Sequence, residues 1–347
     1  MLPSKVLSNF AGQAKACDSL GSAFTARLCR LLPQVLDAPT ATGRRVRDWP
    51  GDPVADALAL RMTGGLHALV LTGADEALEA AYPPNDVDDE ALAAALTGAI
   101  ARNDSFLAGF LDLPPQTNET ARAAMLLPGL LLVARETGLP LALCEIGSSA
   151  ALNLFLDRFR YDYAGSSWGP ADSPALLAPE VRGNPPPLDG DLRIAGRTGN
   201  DIAPVDIADA AQRLRLRSYI WADQAARLQR LDAALGIASG ESFALEKADA
   251  AEFVRKQLAA RRPGEAFVLF HSIMWQYMPR ASKDAVRAAL EEAGEQATAD
   301  MPVAWLRMEP EGEAPPHATL SLTSWPGGET RRLAHCDYHG RWIEWLA

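Results

Sequence analysis

Residues 141–153 read Leu141-Ala142-Leu143-Cys144-Glu145-Ile146-Gly147-Ser148-Ser149-Ala150-Ala151-Leu152-Asn153. A short apolar run closes on an acidic residue, and two residues later Gly147 permits a tight turn. Ser149 and Ala151 keep the next turn small, so that a ligand can approach the backbone and a helix N-terminus beyond it. Strand, tight turn and helix in succession are the signature of an α/β unit.

Downstream, the pattern repeats. Leu192–Ala195 precedes Gly199-Asn200-Asp201, and Phe243–Leu245 precedes Asp249. Ala266–Phe270 and Val303–Met308 are near-continuous apolar runs, as parallel strands buried on both faces are. Helical segments at Val205–Leu235, Ala250–Ala260 and Lys283–Ala293 separate these strands. Ala318–Thr323, the turn Pro326-Gly327-Gly328 and Arg331–Ala334 read as a hairpin. The expected fold is a doubly wound, mostly parallel α/β sheet with a C-terminal antiparallel hairpin. Residues 157–190 fit no regular unit and read as a long loop insertion, of a kind that is usually functional and often a lid.

Upstream, residues 1–137 read as a helical N-terminal region, and 138–347 as the α/β domain. Ala14–Leu36, Val54–Leu71 and Glu90–Leu111 carry helical spacing or alanine- and leucine-rich composition. Breaks fall at Trp49-Pro50-Gly51-Asp52, Tyr82-Pro83-Pro84-Asn85 and Leu113-Pro114-Pro115. Thr117-Asn118-Glu119-Thr120 opens a further helix, capped by Thr or Asn. That helix is apolar nearly all round as far as Arg135, so it is expected to be buried on most sides.

The composition bounds the partners. The chain has 347 residues and a net charge of −11 at pH 7, which argues against indiscriminate binding to nucleic-acid phosphates or an anionic membrane. Cys17, Cys29, Cys144 and Cys336 form no C-x-x-C pair. So few thiols in so long a chain fit a reducing compartment. The start has no continuous apolar core of the secretory kind. The longest apolar run, Ala123–Ala134, is short of the ~20 residues that span a bilayer. A soluble cytoplasmic protein is the expectation.

The 141–153 stretch resembles the first motif of Rossmann-fold, S-adenosylmethionine-dependent methyltransferases: an acidic residue followed by G-x-G-x-G. Here Ser149 and Ala151 replace the second and third glycines. The resemblance continues in chain order. Arg197-Thr-Gly199-Asn-Asp201 is similar to the second strand end, where an acid holds ribose hydroxyls. Glu246-Lys-Ala-Asp249 is similar to the third, where an acid faces the adenine amino group. His271-Ser272 follows the fourth, where substrate and methyl group meet. The resemblance implies that Glu145, Gly147, Ser149, Ala151, Asn153, Asp201 and Asp249 bind S-adenosylmethionine, with His271 and Ser272 as catalytic neighbours and a small-molecule acceptor. It covers Leu141 to the C-terminus, outside the insertion. The block TNETARAAMLLPGLLLVARETGLPLALCEIGSSAALNL also looks like an uncharacterised family of bacterial proteins with a methyltransferase-like core.

Other readings use the same residues. A degenerate Rossmann module would bind a nucleotide-like ligand or a partner without catalysis. Gly147-Ser-Ser149-Ala-Ala151 also approaches the G-x-S-x-G elbow of α/β-hydrolases, with Ser149 as nucleophile and His335 or His339 as base. On a strand, His335, Asp337 and His339 would share one face, as solvated polar residues or as metal ligands. Arg213, Arg215, Arg217, Arg227 and Arg230 form a solvated face balanced by acids, or an anionic-substrate pocket. Trp221, read as lying inside the same helix, is expected to anchor a core, and His67 to pack on an apolar helix. Trp275, Gln276 and Tyr277 are placed to form a substrate wall.

Overall fold

The computed structural model describes residues 2–36, 39–312 and 316–347. Its helices are α1 (Ser4–Ser19), α2 (Ala23–Val35), α3 (Ala41–Arg47), α4 (Leu58–Leu71), α5 (Glu76–Glu79), α6 (Asp89–Arg102), α7 (Asp104–Phe110), α8 (Ala123–Thr137), α9 (Ala210–Ser218), α10 (Ala225–Ala238), α11 (Ala250–Ala259) and α12 (Arg280–Glu295). Among the described residues, no helix is long and apolar enough to cross a membrane. The chain forms two compact units. One comprises the residues up to Thr117 with Ala208–Gln229, the other Asn118–Ile207 with Arg230–Ala347.

The first unit is helical. Its core gathers Val6 and Phe10 of α1, Leu32 of α2, Leu66 of α4 and Leu96 of α6. The expected helix over Ala14–Leu36 is two helices. Gly21 at φ +84° turns the chain, and Ser22 caps α2 by accepting from Thr25 N. The expected helix over Val205–Leu235 is likewise broken, between α9 and α10. Trp221 therefore lies in a half-buried connection instead of inside a helix. His67 is buried, with Nδ1 3.2 Å from the Ser218 carbonyl oxygen. Where α9 ends, Tyr219 lies so close to Gly64 that a Cβ there would stand 2.6 Å from its ring.

The second unit is a mixed α/β sheet. Its strands are β1 (Leu141–Ile146), β2 (Arg160–Tyr163), β3 (Ser166–Trp168), β4 (Leu176–Leu177), β5 (Glu180–Arg182), β6 (Ile194–Asp201), β7 (Ala244–Lys247), β8 (Ala266–Ser272), β9 (Val303–Pro310), β10 (Ala318–Trp325), β11 (Glu329–Cys336) and β12 (Trp342–Trp345). The nine-stranded sheet runs β5-β12-β11-β10-β9-β8-β1-β6-β7. From β7 to β9 every pairing is parallel, and β9, β10, β11 and β12 then pair antiparallel. Central β1 is flanked on both sides, with Leu143 opposite Arg197 on β6 and Val268 on β8.

Helices cover both faces of this sheet. Cys144, Ile146 and Leu269 pack against Phe253 and Val254 of α11 and Leu290 of α12. On the other face lies α8, buried from Ala123 to Ala134 as its all-round apolar pattern requires. Gly129 brings α8 against β9: a Cβ there would stand 2.6 Å from Leu306 Cδ1. The cap of the segment before α8 differs from expectation. Glu119, not Thr or Asn, accepts from Ala121 N, and Asn118 reaches across to Leu152 N at 2.9 Å. The expected loop at 157–190 also differs. It carries the three-stranded sheet β3-β2-β4 and the strand β5. Tyr161 and Tyr163 stack there with ring centroids 6.1 Å apart, both buried, and donate to the Leu156 and Ala124 carbonyl oxygens. Short strands with exposed alternate residues leave too little apolar signal to be read as strands.

Candidate functional site

The carboxyl ends of β1, β6 and β7 border a cleft of about 230 Å³. Gly147, Asp201 and Asp249 all line it, so the structure brings together residues at the carboxyl ends of three adjacent parallel strands. Asn200, Ile202 and Ala248 complete that side. The opposite wall comes from the segment after β8, through Met274, Tyr277, Met278 and Pro279, with Ser282 of α12. Ile202 and Tyr277 are 77% and 76% exposed. Large apolar and aromatic side chains so exposed at the mouth of a cleft offer flat contact surface to a ligand.

The turn after β1 is strained at two residues that are not glycine. Gly147, Ser149 and Ala151 have φ of +65°, +54° and +59°. All three adopt the left-handed conformation that glycine takes freely and L-residues take at a cost. At Gly147 a side chain is also excluded by space, since a Cβ would stand 2.8 Å from Met274. The turn is fixed by neighbouring strand ends. Ser148 N and Oγ donate to the Asn200 carbonyl oxygen at 2.9 and 3.0 Å, and Val205 N donates to the Ser149 carbonyl oxygen. A short 3-10 helix, Leu152–Arg158, follows instead of an α-helix.

The acids at the strand ends differ in environment. Asp201 is half-buried; one carboxylate oxygen accepts from Ser149 N and the other from Ala203 N, each at 2.9 Å. Asp249 is exposed and caps α11 by accepting from Ala251 N and Glu252 N, while its second oxygen accepts from Ser282 Oγ at 3.0 Å. Glu145 is buried. Burial pushes its carboxyl up to about 8; the charge of Asp201 adds to the rise, while a hydrogen bond from Asn153 and the charge of Arg122 oppose it. Glu145 Oε2, Asn153 Oδ1, Ser149 Oγ and Asn200 Oδ1 are buried without a hydrogen-bond partner.

Of the residues anticipated from sequence, Glu145, Ser149, Ala151 and Asn153 do not line the cleft. Neither do His271 and Ser272. His271 is fully buried on β8, with Nδ1 2.7 Å from Glu309 Oε1 and Nε2 accepting from Trp305 Nε1 at 3.1 Å. Ser272 is buried, caps no helix with its side chain, and its carbonyl oxygen accepts from Arg122. Tyr277, anticipated as part of a substrate wall, does line the cleft. Glu309 was missed. Its type and place, an acid near the end of an apolar strand, match Glu145, but nothing local ties it to the segment after β8.

The other clusters resolve locally. His335 pairs with Glu344 across β11 and β12 at 3.3 Å, and Asp337 accepts from Arg341 and from His339 N. At about 4.8 Å per strand, β11 lies roughly 19 Å across the sheet from β1. Searches of curated proteins and of solved structures each gave no match. The family model described as "Uncharacterized protein conserved in bacteria (DUF2332)" spans residues 8–345, and the chain belongs to that family.

Proposed function

We propose that the cleft binds S-adenosylmethionine and that the protein transfers its methyl group to a small acceptor, on a methyltransferase-like Rossmann core. One observation carries the reading: Gly147, Asp201 and Asp249, at the ends of three adjacent parallel strands, converge on one cleft. Numbered in chain order, β7-β6-β1-β8-β9 is 3-2-1-4-5, the order of doubly wound sheets that bind ligands beyond the strand carboxyl ends, at the switch point beside the first strand.

The residues suit such a ligand. A carboxylate has about four lone-pair sites. Asp201 uses two on backbone amides and keeps the rest for ligand hydroxyls. Asp249 uses three and keeps one for an amino donor. Ile202 and Tyr277 offer faces to a flat base. The cleft is smaller than the roughly 300–1,000 Å³ of drug-sized pockets, so it suits the nucleoside part of the ligand, with the rest along the open mouth. Bound there, S-adenosylmethionine would supply a methyl group already activated by its sulfonium charge. The task left to the chain is to hold donor and acceptor in line and exclude water.

A second reading, a ligand-binding module without catalysis, is favoured by one observation. Among the described residues no histidine, lysine or cysteine lines the cleft. The hydrolase reading has less support. Ser149 Oγ is buried without a partner, and His335, a base that this reading needs, stands on β11 beside Glu344.

Calorimetry against S-adenosylmethionine and S-adenosylhomocysteine tests the cofactor. Heat of binding is expected with both, and none at ligand concentrations up to millimolar would sink it. Conversion of bound S-adenosylmethionine to S-adenosylhomocysteine on adding a bacterial small-molecule extract separates the enzyme from the binding module. A serine-directed fluorophosphonate is expected to leave Ser149 unlabelled; stoichiometric labelling there would establish the hydrolase instead.

A further inference from the structure

The cleft wall contributed by residues 273–279 has little regular structure of its own. It contains one 3-10 turn, Trp275–Tyr277, with no side-chain cap at Met274. Ile273 stands at φ +51°, a left-handed conformation in which a β-branched residue is a genuine outlier. Such strain persists only where surroundings over-determine it. One ladder bond, Ile273 N to the Met308 carbonyl oxygen at 3.0 Å, ties the segment to β9.

A second polar restraint comes from one side chain at the end of β9. Glu309 is buried, and its Oε1 accepts from Met274 N at 3.1 Å and Trp275 N at 3.2 Å. The same oxygen lies 2.7 Å from His271 Nδ1, while Oε2 is buried without a partner. Because the Trp305 indole donates to Nε2 of His271, a neutral ring carries its proton on Nδ1 and donates it to Glu309. The imidazole also stacks on Trp275, ring centroids 5.0 Å apart, and Trp275 packs on Trp305 at 5.5 Å. Met274 carries this brace to the candidate site, since its side chain fills the space beside Gly147.

We infer that Glu309 is a positioning residue for the cleft: one carboxylate oxygen, gathering two backbone amides and the His271 ring, holds the strained Ile273–Tyr277 segment as the wall against which the ligand binds. His271 is then a brace, with both nitrogens committed. The ligand-binding part rests on the cleft being the site proposed above. The restraint of the segment is measurable without any ligand.

The test uses the full chain carrying Glu309→Leu, Glu309→Asp or Glu309→Gln. Hydrogen exchange is followed by mass spectrometry over peptides covering 272–280, with chymotryptic cleavage after Tyr277 as a second local readout. In Glu309→Leu the Met274 and Trp275 amides should exchange at least about tenfold faster, while β1 and α8 keep wild-type rates. Glu309→Asp keeps the charge but withdraws the oxygen by one methylene, and should behave in the same way. Glu309→Gln keeps an acceptor in place and should stay within about threefold of wild type. S-adenosylhomocysteine affinity should follow the same order, falling about tenfold or more in the first two variants. Unchanged local exchange in Glu309→Asp, or a Gln variant no better than Asp, overturns the inference, and this pair decides it even where Glu309→Leu fails to fold. If the wild type binds no S-adenosylhomocysteine but the exchange pattern holds, only the cofactor reading falls.

Discussion

The two halves of the large sheet use their strand ends differently. From β7 to β9 all strands run the same way, so every crossover begins at one edge and the turns after β1, β6, β7 and β8 gather there. From β9 to β12 the strands alternate in direction, so their carboxyl ends fall at opposite edges of the sheet. Three charged groups of that half serve surface pairs: Arg331 with Glu136 at 2.7 Å, Arg332 with Glu311 at 2.9 Å, His335 with Glu344 at 3.3 Å. Parallel pairing therefore concentrates turns where a ligand can meet several strands at once, and antiparallel pairing disperses them.

The contrast can be broken at named positions. The largest effect is expected at Gly147. Gly147→Val combines a left-handed backbone with a Cβ 2.8 Å from Met274, so it should cost more than about 3 kcal/mol in chemical unfolding and abolish ligand heat. Wild-type stability would refute the account of the turn.

Glu145 gives the next effect, through pH. Its folded pKa of about 8 lies above the ordinary value of 4.5, so the folded state binds more protons between these limits and stability falls as pH rises through that window. Glu145→Gln should remove this slope and be the more stable protein at pH 8. Parallel curves for variant and wild type from pH 5 to 8 would place the slope elsewhere.

Asp201→Ala removes the carboxylate that accepts from the Ser149 and Ala203 amides. A stability loss of about 1–3 kcal/mol is expected, together with weaker ligand binding, because one side chain serves both turn and cleft. The smallest effect belongs to the antiparallel half. Arg331→Ala breaks a pair whose side chains are 33% and 37% exposed, so it should change stability by under about 1 kcal/mol. It should leave cleft binding untouched; a binding defect there would mean that the two halves are coupled.

The parallel core was legible because strands buried on both faces carry continuous apolar runs; all seven residues of β8 are buried. Asp201 and Asp249 were legible by their place beside Gly199-Asn200 and after a short strand, although β6 and β7 are themselves half-exposed. The turn residues were legible only by size, since sequence does not tell that Ser149 and Ala151 accept left-handed φ. Strands β2 to β5 escaped because they are two to four residues long. Of Trp275, Gln276 and Tyr277, expected together as a substrate wall, only Tyr277 lines the cleft, while Trp275 packs on His271 and Trp305. Glu309 acts on Met274 and His271 from 35 and 38 residues away, and no local pattern reports such a partnership.

Strand β5 pairs in parallel with β12, Glu180 opposite Trp342 and Arg182 opposite Glu344. During synthesis, residues 180–182 leave the ribosome long before residues 342–344 exist. The far edge of the sheet must therefore wait for the last strand, while β1, β6 and β8 can pair earlier. Such a distant pairing raises the contact order and slows closure. For as long as that closure takes, β5 has an open pairing edge, a place where a nascent chain is prone to pair wrongly or to be held by a chaperone.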